Sequence, residues 1–263
     1  MSCSELPRTE TNSSHAVLAS TPARTNRVPA ENDTSPVVQL SDVTKHFGRF
    51  AALRSVTASF EAARLYAVLG DNGAGKSTLL RAVAGLLPLT RGTMALLGST
   101  DLRSACDQVG YMAHAPLLYD ELDAMENLHY FAGLYGIHDN QRCAAAIASI
   151  GLDPALKRRV GQYSQGMRQR LSLARAILHD PRLLLLDEPF SNVDIASARE
   201  MVRLLGIMRD GGKTVLVVTH QPSLLEGVAN EFVWMAAGRI VARTATLSTG
   251  PAGETPALHT VPR

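Results

Sequence analysis

Leu65–Leu69 runs without a break into Gly70-Asp71-Asn72-Gly73-Ala74-Gly75-Lys76-Ser77-Thr78, and Leu79-Leu80-Arg81-Ala82-Val83 then continues with helical spacing. This is G-x-x-x-x-G-K-[ST] between an apolar strand and a helix, and few folds accommodate that sequence. Glycines allow consecutive backbone N–H groups to point inward at phosphate oxygens, where a side chain would collide. The helix start adds its positive end. Lys76 supplies a mobile cation for β- and γ-phosphates, and the Ser77 hydroxyl can ligate Mg²⁺. The bland reading is a glycine-rich turn with an exposed lysine. Taken alone, the loop implies only that a nucleoside triphosphate binds, because kinases, GTPases and motor ATPases share it.

Residues further along the chain discriminate among these. Leu183-Leu184-Leu185-Leu186-Asp187-Glu188-Pro189 is an apolar strand ending in two carboxylates. Asp187 is expected to face the metal side of the phosphate loop and hold Mg²⁺ through water. Glu188, one residue later, can orient or deprotonate an attacking water. Ordinary turn residues are the alternative. Thr214–Val218 is a second continuous apolar run, reaching Thr219-His220. A histidine there can contact a γ-phosphate, although a lone histidine at a strand end is commonly a surface residue.

Runs that show no alternation are typical of strands buried on both faces of a parallel sheet. Val37–Leu40 and Val56–Phe60 read as further short strands. Helical spacing appears over Glu126–Tyr135, after Ser164 (Met167, Leu171, Ala174, Leu178) and after Asp194 (Ala198, Met201, Leu205, Met208). The alternation implies an α/β fold. Residues 103–165, mostly helical between two parallel-strand candidates, suggest an inserted helical subdomain. The segment Tyr163-Ser164-Gln165-Gly166-Met167-Arg168-Gln169-Arg170-Leu171 offers a helix capped by Ser164, with Gly166 permitting close backbone approach to a ligand. Read alone, it is a capped basic amphipathic helix.

Composition bounds the rest. Lys+Arg number 26 against 24 Asp+Glu, a net charge of +2, which argues against a nucleic-acid partner. Cys3, Cys106 and Cys143 lack C-x-x-C spacing, which excludes a disulfide framework or a cysteine-based zinc site. No apolar run approaches the roughly 18 residues of a membrane helix. In residues 1–36, 6 Ser, 5 Thr, 4 Pro and 3 Asn make a stretch too polar to offset its ordering entropy, so a disordered tail is expected. Residues 244–263 read as a second tail, leaving 37–243 as the folded domain.

In their order along the chain, these motifs resemble those of ATP-binding-cassette (ABC) ATPases. Gly70–Thr78 looks like Walker A, Ser164–Gln169 like the signature motif, Leu183–Glu188 like Walker B, Ser191-Asn192-Val193-Asp194 like the D-loop, and His220 like the switch histidine. Phe47, in Lys45-His46-Phe47-Gly48, sits where the family places an aromatic that stacks on adenine; without the resemblance, a core phenylalanine would be the simpler reading. The resemblance implies a P-loop fold with a mostly parallel sheet, an antiparallel β subdomain and an inserted helical subdomain. It also implies ATP and Mg²⁺ as cofactors and ATP hydrolysis as the activity, with Glu188 and His220 catalytic and Ser77 and Asp187 at the metal. Phe47, Gly70 to Thr78, His114, Ser164, Gly166 and Asp194 would bind nucleotide. A second cassette, identical or not, would complete each site, and separate membrane-spanning permease subunits would place the chain at the cytoplasmic face of the cell membrane.

Two departures stand out. The signature reads Tyr-Ser-Gln-Gly-Met, retaining Ser164 and Gly166 but carrying Gln165 and Met167. In Gly110-Tyr111-Met112-Ala113-His114-Ala115-Pro116, His114 holds the position usual for the Q-loop glutamine; an imidazole there can still hydrogen-bond near the metal water. That histidine, with Glu126-Asn127-Leu128 and the later Leu134-Tyr135-Gly136, looks like the haem-exporter ATPase of cytochrome c maturation. Drug and lipid exporters share parts of the run. A soluble relative serving metal-cluster assembly is a further alternative. Chromosome-type members are disfavoured because only about 86 residues separate Lys76 from Tyr163, too few for a long coiled coil.

Overall fold

A computed structural model describes residues 36–249. Nine strands and six helices follow one another: β1 (Pro36–Phe47), β2 (Phe50–Glu61), β3 (Leu65–Leu69), α1 (Lys76–Val83), β4 (Arg91–Leu96), α2 (Leu102–Ala105), β5 (Val109–Met112), α3 (Ala124–Leu134), α4 (Asn140–Ser149), α5 (Gln165–Ile177), β6 (Leu183–Asp187), α6 (Ile195–Asp210), β7 (Thr214–Val218), β8 (Glu231–Ala236) and β9 (Arg239–Thr244). Two sheets result. One is antiparallel, β2-β1-β4; the other has the order β5-β6-β7-β3-β8-β9 and is parallel except for β9.

The central strands β3, β6 and β7 are buried at every residue. Each divides its side chains between two cores, as the two-residue period of a strand requires. Leu65, Leu184, Leu186, Val215 and Val217 face one core with residues of α3, α4, α5 and α6. Tyr66, Val68, Leu183, Leu185, Leu216 and Val218 face the other, with α1 and the antiparallel sheet. Each fully buried leucine contributes about 1.5–3 kcal/mol, so this double-faced sheet is the main stabilising element. Phe60 meets Tyr66 edge-on at 5.0 Å between ring centroids, and the Tyr66 hydroxyl accepts the Glu61 N–H at 2.7 Å, fixing the antiparallel sheet to β3.

Two details bear on the expected boundaries. Residues 103–165, expected to be mostly helical, also contain Val109–Met112 as β5, paired with β6 from Val109↔Leu183 to Met112↔Leu186. Its four residues include Gly110, where a Cβ would meet the Ala176 carbonyl oxygen at 2.2 Å. The glycine serves the close approach of α5. Thr244 closes β9, and Leu247–Thr249 form a 3₁₀ turn, so the described structure continues past the expected start of the C-terminal tail. The remainder of that tail, and the N-terminal tail before Pro36, lie outside the described residues.

Candidate active site

The phosphate loop, between β3 and α1, owes two of its glycines to backbone on its far side. Gly70 has φ 138°, and a Cβ there would stand 2.0 Å from the Met235 carbonyl oxygen at the end of β8. Gly75 has φ 101°, with the Ala52 carbonyl oxygen of β2 at 2.6 Å from such a Cβ. Gly73, at φ 84°, has nothing within 4 Å. Only Gly73 is therefore free of neighbours, which adds packing to the ligand-clearance reading of the loop. Behind the loop, the Gly238 N–H donates to the Ala74 carbonyl at 3.0 Å, and the Arg54 N–H donates to the Gly238 carbonyl at 2.8 Å. The β8–β9 turn thus braces the loop, a role that sequence reasoning did not assign to Gly238.

Asp71, Asn72 and Gly73 form the exposed rim of the loop, while Ala74 is buried. Lys76 is buried, and its Nζ donates to the carbonyls of Gly70 at 2.6 Å and Asp71 at 2.9 Å. Desolvation by burial lowers its pKa, against the raising influence of Glu188, Asp71 and Asp187. Ser77 and Thr78 follow on the first turn of α1, both half-buried. The Ser77 hydroxyl donates to Asp187 Oδ1 at 2.8 Å across 110 residues of chain. Asp187 ends β6 and is almost wholly buried. The hydroxyl and carboxylate form a hard-oxygen pair suited to Mg²⁺, whose remaining positions are ordinarily filled by water and phosphate oxygens. No group of three or more His, Cys, Asp or Glu side chains arranged to hold a metal occurs among the described residues.

Glu188 departs from the strand with φ 55°, a conformation rare outside glycine. Its N–H donates to the Val218 carbonyl at 2.9 Å, which anchors the turn on β7. One carboxyl oxygen accepts the His220 N–H at 3.1 Å, and the other lies 3.3 Å from His220 Nε2 without hydrogen-bond geometry. Burial pushes the Glu188 pKa up to about 7; the His220 hydrogen bond and the Lys76 charge oppose that rise. Burial, then the Lys76 charge, lowers the pKa of His220. Both shifts disfavour the charged forms, so the contact is no permanent ion pair.

The other expected site residues occupy separate edges. Phe47 is half exposed at the tip of the β1–β2 hairpin, with Lys45 Nζ 5.2 Å from its ring centroid, which excludes the core alternative. His114 is exposed, two residues past the Met112↔Leu186 pair. Ser164 caps α5 by accepting the Met167 N–H at 3.2 Å. Gly166 is glycine for a packing reason as well: a Cβ would approach Ser197 Oγ at 3.0 Å, where the starts of α5 and α6 meet. Asp194 caps α6, accepting the Ser197 N–H at 2.9 Å; this and its other local hydrogen bonds lower its pKa. No hydrogen bond among the described residues joins Ser164, Gly166 or Asp194 to the phosphate loop. The fold brings Lys76, Ser77, Asp187, Glu188 and His220 together and leaves the signature turn outward.

A phosphate loop between a buried parallel strand and a helix, facing a strand-end Asp-Glu pair, defines a P-loop ATPase. A family model described as ABC transporter matches residues 53–191. The ABC transporter ATP-binding protein NatA of Bacillus subtilis is 30% identical over 220 residues, covering 80% of this chain and 89% of that protein. The bacitracin transport ATP-binding protein BcrA of Bacillus licheniformis is 31% identical over 211 residues, 79% of this chain and 69% of that one. A solved ATP-binding subunit of an ABC transporter superposes with a TM-score of 0.71 at 27% identity, covering 81% of this chain and 90% of that chain. In fold, the chain also matches a dimeric cassette in a post-hydrolysis state bound to ADP and Pi, with a TM-score of 0.72 at 23% identity over 79% of this chain and 98% of that one. The chain belongs to the ABC transporter ATP-binding family; it binds ATP and hydrolyses it. Subunits of this family typically work with membrane permeases and dimerise. No helix among the described residues is long and apolar enough to cross a membrane.

Proposed function

We propose that this chain is the motor subunit of an exporter, peripheral to the cytoplasmic face of the membrane, working with separate membrane-spanning subunits. In this reading Gly70 to Thr78 cradle the phosphates, Phe47 stacks on adenine, and Ser77 with Asp187 holds Mg²⁺. Glu188 orients and deprotonates the attacking water, while His220 meets the γ-phosphate. The exposed Ser164 and Asp194, with Gly166 buried beside them, complete the nucleotide site of a second cassette, identical or not. His114 takes the place of the Q-loop glutamine, so His114→Gln is expected to alter turnover.

The observation that supports a membrane partner is the exposed apolar surface on the loop after His114 and on α3 with the residue that follows it. Leu117, Tyr119, Tyr130, Leu134 and Tyr135 are each more than 40% exposed, and Tyr119 packs edge-on against Tyr130 at 4.9 Å. A patch of this kind marks a protein-binding surface. Relatives named for bacitracin and multidrug transport favour a drug-type or peptide-type cargo. The His114 position and the Glu126-Asn127-Leu128 run favour haem export for cytochrome c biogenesis. Affinity purification of the tagged chain from solubilised membranes tests the proposal. Recovery of a stoichiometric polytopic subunit is expected, and its identity decides the cargo. Recovery of soluble partners alone refutes the export reading in favour of a role such as metal-cluster assembly.

A further inference from the structure

The Phe47 ring stands at the tip of the β1–β2 hairpin with little to hold it. It is half exposed, the next residue is Gly48 at φ 58°, and its cross-strand partner Phe50 is exposed as well. Among the described residues no second aromatic ring packs against it. A side chain this free gives up rotamer entropy whenever a ligand orders it, and that loss weakens binding. Lys45 limits the freedom. Its Nζ lies over the Phe47 ring, 5.2 Å from the centroid, close enough for a cation–π attraction.

The ammonium is itself anchored. It donates to the Pro88 carbonyl at 2.7 Å, and no carboxylate pairs with it among the described residues. Pro88 belongs to the loop over residues 84–90, between α1 and β4. Two more hydrogen bonds fasten that loop to β1: the Thr90 N–H donates to the Thr44 carbonyl at 2.9 Å, and the His46 N–H donates to Thr90 Oγ1 at 3.0 Å. The phosphate loop enters α1 at Lys76, and the loop that anchors Lys45 leaves it after Val83. Ring and phosphate cradle are therefore tied to opposite ends of one eight-residue helix, a rigid spacer of about 12 Å. We propose that Lys45 is a positioning residue for base recognition. Anchored on Pro88, its ammonium covers one face of Phe47, keeps the ring in one orientation and leaves the opposite face for adenine.

This rests on the reading of Phe47 as the adenine platform. The test is calorimetric titration of the full chain with Mg-ADP and with Mg-pyrophosphate, which offers phosphates without a base. Phe47→Leu is expected to raise the Kd for ADP by about tenfold and to leave that for pyrophosphate unchanged. Lys45→Met keeps the stem and removes the charge; it should raise the Kd for ADP by about threefold, again without effect on pyrophosphate. Lys45→Arg, which keeps a cation, should bind ADP as the wild type does. In the Phe47→Leu background, Lys45→Met should change nothing further. A lysine that merely attracts phosphate would weaken both ligands alike, and one that merely supports the hairpin would act with or without the Phe47 ring. Either result overturns the inference, as does ADP binding unchanged in Lys45→Met or weakened equally in Lys45→Arg. ADP binding unchanged in Phe47→Leu overturns the platform reading and the inference with it, so that single variant separates the two failures.

Discussion

One carboxyl oxygen of Glu188 accepts the His220 backbone N–H at 3.1 Å while the other stands 3.3 Å from the His220 imidazole. The backbone hydrogen bond does not use the imidazole, so it orients the carboxyl independently of the histidine ring. With its pKa pushed up to about 7, Glu188 is divided between acid and base near neutrality.

In its proposed role as base, Glu188 must be ionised to accept a proton, so activity is expected to fall as pH drops through about 7. A profile of kcat/KM for ATP from the purified chain is expected to rise with unit slope below that pH and to flatten above it. A flat profile across the range removes Glu188 from the proton path.

Glu188→Gln is expected to lower hydrolysis by about 10²–10⁴-fold with ATP binding retained. Lys76→Ala, in contrast, should abolish binding. Titration of a fluorescent ATP analogue alongside turnover distinguishes the two. Unchanged turnover in the glutamine variant would refute the role of Glu188.

The same substitution has a signature in stability. Because the folded-state pKa is raised, native Glu188 holds its proton where the unfolded chain has released it, and stability falls as pH rises from about 4.5 to about 7. Removing the charge should stabilise the fold by about 1–3 kcal/mol at pH 8 and by almost nothing at pH 4.5. Urea unfolding at the two pH values measures this; equal effects would contradict the burial argument.

Asp187→Asn leaves an oxygen that can accept the Ser77 hydroxyl but removes the negative charge from the proposed Mg²⁺ pair. The Mg²⁺ concentration for half-maximal hydrolysis is expected to rise by about tenfold or more, equivalent to ~1.4 kcal/mol. Binding of ATP in the presence of EDTA should change little. Equal losses with and without the metal would show that Asp187 serves the fold instead.

Glycines in the phosphate loop are not equivalent. Gly70→Ala would place a Cβ 2.0 Å from the Met235 carbonyl oxygen, whereas Gly73→Ala meets nothing within 4 Å. The second change should cost about 1–2 kcal/mol from its left-handed φ alone. The first should cost clearly more, because β8 must shift. Thermal unfolding of both variants provides the comparison, and similar losses would refute the packing account of Gly70.

Sequence reading found the parts of this site that are local in the chain. Lys76 and Ser77 follow a strand of continuous apolar character, and Asp187 and Glu188 end another, so both sets were legible from adjacent residues. Periodicity placed α3, α5 and α6. Short or edge elements escaped it: β5 has four residues, one of them Gly110, and β9 alternates with exposed positions. The run Phe232–Met235 is visibly apolar, but nothing in it reveals that the Met235 carbonyl lies against Gly70. Phe47, read without the resemblance, suggested a core residue, and its exposure excludes that reading. Contacts made across long stretches of chain, such as Gly238 on Ala74 or Lys45 on Pro88, leave no local pattern to read.

The order of the sheet has a bearing on biosynthesis. Strand β7 lies between β6 and β3, and β8 flanks β3 on its other side. A chain emerging from the ribosome therefore has its Lys76 loop and its Asp187-Glu188 pair long before it has the strand that brings them side by side. It acquires Gly238, the brace behind the loop, later still. A fragment limited to the matched stretch, residues 53–191, would hold Gly70–Thr78 and Leu183–Glu188 but lack β7, and with it the means to bring them together. Nascent or truncated forms should thus be inert toward ATP, with competence arriving in one late folding event.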